Sequence, residues 1–215
     1  MNARALLRPA LILAFAGLWA VLALAPVDRE AWLLENLLVL ALAVALMATR
    51  RRLVFSGAAD LQIFVFLCLH AVGAHYTYSL VPYDQWFEPL AGIALGDRLG
   101  LERNHYDRVV HLAYGLLLTG PAREAMAQAA GVAGAWRHIF AVMIMVSLSA
   151  GYEVIEWGAA MVFGGDIGVA YVGAQGDPWD AQKDMALATL GSLVATAIAV
   201  LSRGPVQPEP ARIAR

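Results

Sequence analysis

Apolar residues run along this chain in stretches of about twenty, broken by short polar segments. Six such stretches follow one another, at about 9–26, 31–49, 59–80, 106–125, 138–163 and 183–201. A bilayer's hydrocarbon core takes roughly 20 apolar residues per helix, so each stretch reads as a span. The third and fifth are long enough to tilt or to continue past the bilayer. The pattern predicts an all-α polytopic membrane protein, a bundle of about six transmembrane helices in a single domain over residues 1–202. Residues 203–215, with Pro205, Pro208 and Pro210, read as a disordered cytoplasmic tail.

The first stretch also resembles a signal peptide, since Arg4 and Arg8 precede an apolar run that ends Ala23-Leu24-Ala25. Pro26 directly after that point is a poor context for cleavage, and a second span follows at once. An uncleaved first helix is expected.

Polar positions carry the second layer of information. Eight ionisable residues interrupt four of the apolar segments: His70 and His75 on the third, Asp107 and His111 on the fourth, Glu153 and Glu156 on the fifth, Asp180 and Asp184 on the sixth. An intramembrane charge costs several kcal/mol, so such residues face a bundle interior and mark a site or a pathway. Asp107 and His111 are four apart, as are Asp180 and Asp184, while Glu153 and Glu156 are three apart; each pair therefore shares a helix face. Threading the spans through a membrane brings all four groups to the same, outer half.

Arginine fixes the direction of that threading. Arg4 and Arg8, the Arg50-Arg51-Arg52 run, Arg123 with Arg137, and Arg203, Arg212 and Arg215 all fall on one side. The positive-inside rule then places both termini in the cytoplasm of a bacterial inner (plasma) membrane. The opposite loops are acidic, with Asp28, Glu30, Asp84, Glu88, Asp97, Glu102, Asp166 and Asp177. Either this mouth gathers cations, or the loops are simply kept free of Lys and Arg by topology. Tyr83, Trp86 and Phe87 are expected at headgroup level.

Composition narrows the function classes. The 215 residues are 60% hydrophobic and 15% charged, against about a quarter charged in soluble domains. The lipid bilayer is thus the first partner, and a net charge of −2 excludes nucleic acid, which requires a basic face. One cysteine, Cys68, rules out an intramolecular disulfide and a cysteine zinc cage. The chain has no serine elbow, no P-loop and no nucleotide fingerprint, which disfavours serine catalysis and ATP coupling. It shows no internal repeat of the kind that marks many transporters.

Carboxylates and imidazoles on facing helices are how bundles build metal sites. Imidazole among the donors suits a divalent zinc, manganese or iron ion better than calcium. The candidate ligands are His70, His75, Asp107, His111, Glu153 and Asp180, with Glu156 or Asp184 as general base. Plainer readings stand beside this one. His70 could be a core histidine, His75 could anchor a helix end with Tyr76 and Tyr78, and Asp107 and Asp180 could cap helices. His111, Glu153, Glu156 and Asp184 lie too far inside their spans for that. Glu35 and Asn36, in the outer half of the second span, are either supports for the site or an unrelated helix contact.

The stretch GAQGDPWDAQKD, Gly173–Asp184, reads as a helix start with Asp177 as cap and Pro178 in the first turn. That leaves Gln175 and Trp179 unexplained. Ser147, Gly151 and Gly158 form a small-residue track that predicts a close neighbour for the fifth helix.

Four blocks, His70–Tyr78 (HAVGAHYTY), Tyr106–Gly115 (YDRVVHLAYG), Tyr152–Trp157 (YEVIEW) and Gly173–Met185, resemble the YjdF family of bacterial inner-membrane proteins. That resemblance implies a location and not a reaction. The order Asp107-Arg108 with His111, then Glu153 and Glu156, then Asp180 and Asp184 is more distantly similar to the VanZ-like pattern. Glu156 stands where that pattern has glutamine and Asp184 where it has asparagine, so both departures add carboxylates and favour a cation. Three functions are compatible with this sequence. The first is a metal-dependent hydrolase or transferase acting on a lipid or lipid-linked substrate at the outer leaflet. The second is a metal-ion or proton transporter, and the third a structural or regulatory membrane subunit.

Overall fold

A computed structural model describes residues 3–165 and 172–202. Asp166 and the tail 203–215, including its prolines and arginines, lie outside the described residues. Among the described residues, eight helices follow in chain order: α1 (Ala3–Leu22), α2 (Arg29–Thr49), α3 (Gly57–His75), α4 (Tyr83–Ala91), α5 (Leu95–Leu99), α6 (Tyr106–Ala129), α7 (Trp136–Phe163) and α8 (Asp180–Leu201). The chain is an all-helical polytopic membrane protein. Four helices, α2, α3, α7 and α8, are each long and apolar enough to cross a membrane, and α1 carries a shorter apolar run, Leu6–Leu22.

α6, expected as the fourth span, is the least apolar of the long helices and carries Asp107, Arg108, Arg123 and Glu124. Packing supplies the reason. α6 occupies the centre of the bundle, with its largest interface against α8 and further contacts to α3 and α7. A helix enclosed by other helices can hold polar groups that a lipid-facing one could not. Outward from α6, α3 carries α1 and α2, and α8 carries α7.

Polar ties fix the ends. Asp28 caps α2 by accepting from the amides of Glu30 and Ala31, and Ser56 caps α3 through the Ala59 amide. Arg8 pairs with Asp60 at 3.0 Å, joining α1 to the start of α3. Glu124 accepts from the Ser56 amide and hydroxyl at 2.8 and 2.6 Å, clamping the last turns of α6 to the α2–α3 loop. Trp19 on α1 donates to Asn36 on α2. α1 thus packs against both α2 and α3.

Three local expectations are corrected. The third span, expected to reach residue 80, ends as a helix at His75, because Thr77 and Tyr78 adopt φ of 51° and 53°. This left-handed turn folds the Tyr78 ring back over Gly73, where any Cβ would strike it. α8 starts at Asp180 and not directly after Asp177, although Asp177 still accepts from the Trp179 amide at 3.1 Å. Finally, the Gly151 and Gly158 track on α7 meets no close neighbour. The close approach lies between α6 and α8. There a Cβ on Gly115 would collide with the backbone of Ala188 and Ser192, and one on Gly191 with that of Leu112 and Leu116. Between α3 and α6 the chain forms the short helices α4 and α5, and Trp86, Phe87 and Leu90 on α4 are exposed.

Candidate functional site

Two parallel stripes build the site. On α6, Asp107, His111, Gly115 and Thr119 recur every fourth residue; on α8, so do Asp180, Asp184, Ala188 and Ser192. Residues four apart lie on one helix face, and these two faces meet. Small residues in the middle let the backbones touch, and Thr119 and Ser192 share a hydroxyl–hydroxyl hydrogen bond of 2.7 Å toward the C-terminal ends of the two helices. Toward the N-terminal ends the same register leaves room for larger groups, so Asp107 and His111 face Asp184.

Their donor atoms, one from each of Asp107, His111 and Asp184, all lie within 4.8 Å of one another. His111 Nε2 stands 3.5 Å from Asp107 Oδ1 and 3.7 Å from Glu153 Oε1, which arrives from α7. Asp184 is 2% exposed and Glu153 8%. One oxygen of each, Asp184 Oδ1 and Glu153 Oε1, is buried without a hydrogen-bond partner. Buried polar atoms are nearly always satisfied, so an orphaned carboxylate oxygen calls for an explanation such as a bound ion or water. Glu156, one turn along α7, lies within electrostatic reach of Glu153, Glu35 and Asp107.

The remaining sequence candidates are engaged elsewhere. His70 is held at both ring nitrogens: Nδ1 lies 2.5 Å from the Tyr78 hydroxyl and Nε2 3.2 Å from the Glu35 carbonyl oxygen. A carbonyl can only accept, so Nε2 carries the proton and Tyr78 donates to Nδ1. His75 directs Nδ1 to the Leu22 carbonyl at 2.7 Å and packs edge-on against Tyr76. Asp180 accepts from Arg103 at 2.8 Å and Arg108 at 3.3 Å. Neither Asp107 nor Asp180 lies at a helix cap position.

Sequence reasoning left Glu35, Arg103, Arg108 and Gln175 unassigned. Glu35 on α2, 3% exposed, accepts from the Tyr152 hydroxyl at 3.0 Å and so links α2 to α7 beside the cluster. Arg103 and Arg108 form, with Asp177, Asp180 and Lys183, an ion network over the mouth, in which Arg108 and Lys183 each reach Asp177 at 2.5 Å. Lys183, then the Trp179 amide and Arg108, hold the Asp177 carboxyl well below the usual carboxylate range. Gln175, at φ 47°, bonds the Asn104 backbone through both its amide oxygen and its amide nitrogen, each at 3.0 Å. Gln175 thus docks the start of α8 on the start of α6. The continuing four-residue period through Gly115 and Thr119 was the readable signal for this pairing.

A cavity of about 330 Å³ opens beside the cluster, between α2, α3, α6 and α7. Asp107, His111 and Tyr152 line one part of it, and Leu42, Phe66 and Leu118 another.

The family model described as "Predicted membrane protein (DUF2238)" matches residues 7–204, which include every residue of this cluster. The chain is also similar to the Inner membrane protein YjdF of Escherichia coli (strain K12), with 36% identity over 177 residues, 82% of this chain and 79% of that protein. No solved structure matches. With the family model covering nearly the whole chain and the relative 36% identical over 82% of it, this chain belongs to the DUF2238 family of predicted membrane proteins.

Proposed function

We propose that Asp107, His111 and Asp184 hold a divalent metal ion, zinc, manganese or iron, with Glu153 beside them. In this reading the protein is a hydrolase or transferase acting on a lipid or lipid-linked substrate at the outer leaflet. The observation that carries it is the meeting of three donor atoms within 4.8 Å next to two buried carboxylate oxygens that lack a hydrogen-bond partner. Zinc bonds its nitrogen and oxygen donors at about 2.0–2.2 Å, so a small inward movement closes this trio on one ion. A carboxylate–imidazole donor set fits a borderline cation.

Such an ion supplies polarisation of a phosphoryl or carbonyl oxygen and a more acidic bound water. The geometry supports Asp184 as a ligand and leaves the general base to Glu156 or Glu153, which approach from α7 and are not tied to α8. Glu35 and Tyr152 brace that helix. Transport fits less well. Inward from His111 and Asp184 these two helices offer Gly115, Ala188 and the Thr119–Ser192 pair, tightly packed, and no further acid or imidazole until the last turns of α6.

Elemental analysis of the purified protein tests the proposal. One ion per chain is expected, lost in His111→Ala and Asp184→Asn and retained in Arg98→Ala. A metal-free wild-type protein, with a melting temperature indifferent to chelator, overturns it.

A further inference from the structure

The cavity between α2, α3, α6 and α7 is graded in polarity along its length. Asp107, His111 and Tyr152 lie toward the start of α6, where the acid–histidine cluster sits, and Leu42, Phe66 and Leu118 toward its middle. From Asp107 to Leu118 the helix rises about 16 Å. The cavity also has a side opening. α2 packs on α3, and the Tyr152–Glu35 hydrogen bond ties it to α7. One turn further along each helix, Leu38 and Leu148 line the cavity while remaining 40% and 60% exposed. In a membrane-spanning bundle, the medium outside that gap is lipid.

We infer that this cavity takes one acyl tail of an outer-leaflet phospholipid, admitted sideways between α2 and α7, with the headgroup left at Asp107 and His111. Three observations point to this occupant. The polar-to-apolar gradient runs in the direction an outer-leaflet lipid presents, head outward and tail toward the midplane. About 330 Å³ accommodates a chain but not a neighbouring helix, which measures about 10–12 Å across with its side chains. The tail would replace exposed leucine contacts that no protein element covers among the described residues, and burying them is favourable in proportion to apolar area. The left-handed turn at Thr77 and Tyr78 completes the wall, because it folds the Tyr78 ring over Gly73 into the lining. That the lipid is also the substrate rests on the proposed metal centre; that a tail occupies the cavity does not.

Gly151 provides the test. It lines the cavity, and a Cβ built there meets no atom within 4 Å, so Gly151→Phe plugs the space without a clash at its base and with a gain in helix propensity. The full chain is reconstituted in phosphatidylethanolamine vesicles containing a phosphatidylethanolamine with a diazirine on its acyl tail, then photolysed and mapped by mass spectrometry. Labelling is expected at Leu42, Phe66 and Leu118 in the wild type and is expected to be lost from them in Gly151→Phe. Leu13, 72% exposed on α1, should keep its label, bound metal should not change, and the melting temperature should not fall. Leu38→Trp, at the mouth, gives the same readout should Gly151→Phe fail to fold. Cavity labelling no stronger than at Leu13, or unchanged in both variants, overturns the inference. So do crosslinks between two copies through Leu38 and Leu148, which would make a second chain the cover. A protein that binds metal but shows no cavity labelling refutes the tail site alone; cavity labelling without metal refutes the metal centre alone.

Discussion

Gly115 and Gly191 face each other across the α6–α8 crossing so closely that a methyl group on either would run into the other helix's peptide backbone. The crossing sets the separation of the two helices one to two turns toward their N-terminal ends, where Asp107 and His111 meet Asp184. Overpacking a well-filled contact costs about 1–3 kcal/mol. Gly191→Ala is therefore expected to lower the melting temperature in detergent and to weaken metal binding, although Gly191 touches no ligand. Gly151→Ala, with open space around it, should be neutral or stabilising. Equal effects of the two substitutions would refute the role assigned to the crossing.

Tyr78→Phe isolates His70 from the cluster. It removes the hydroxyl that donates to His70 Nδ1 and leaves a buried acceptor unsatisfied, a loss of about 1–3 kcal/mol. Lower thermal stability with an unchanged metal content is expected. Loss of the metal would place His70 among the ligands after all.

The ion network over the mouth predicts a pH dependence. Lys183, the Trp179 amide and Arg108 depress the pKa of Asp177 in the folded protein, and the unfolded value for Asp is about 3.9. A depressed folded pKa stabilises fully above the unfolded pKa, and the effect is lost as pH falls below it. Asp177→Asn should therefore unfold at a lower temperature than wild type near neutral pH, and the two curves should converge below about pH 4. A gap that persists undiminished into acid would assign the difference to packing instead.

Both termini are expected on the cytoplasmic side. Reporter fusions after Arg52 and after Gly173 should report opposite compartments, the first cytoplasmic and the second periplasmic. The same compartment for both would refute six spans and remove the outer leaflet from the functional proposal.

Much of the site was legible because α-helical periodicity is strict. Asp107 with His111, and Asp180 with Asp184, had to share faces, and charges inside apolar runs had to point inward. His70, His75 and Asp180 met the same criteria yet find other partners, because the local period says that a residue faces the interior and not which neighbour it meets there. Glu35 and Tyr152 show the converse. Nothing in their own segments marked them as a pair, and only the approach of α2 to α7 joins them at 3.0 Å.

The sequence by itself determined that the chain is a helical membrane protein, where the long apolar segments fall, and that their polar groups cluster in one half. These follow from hydrocarbon thickness and residue spacing, which are local quantities. The tertiary structure alone decided that α6, the least apolar of the long helices, sits at the centre, that the close crossing is Gly115 on Gly191 and not the Gly151 track, and that Asp107, His111 and Asp184 form the trio. Helix–helix contact is set by side-chain shape summed over a whole interface, against many competing arrangements of the same stripes. A small residue permits a close approach, but only the partner's surface determines whether one occurs.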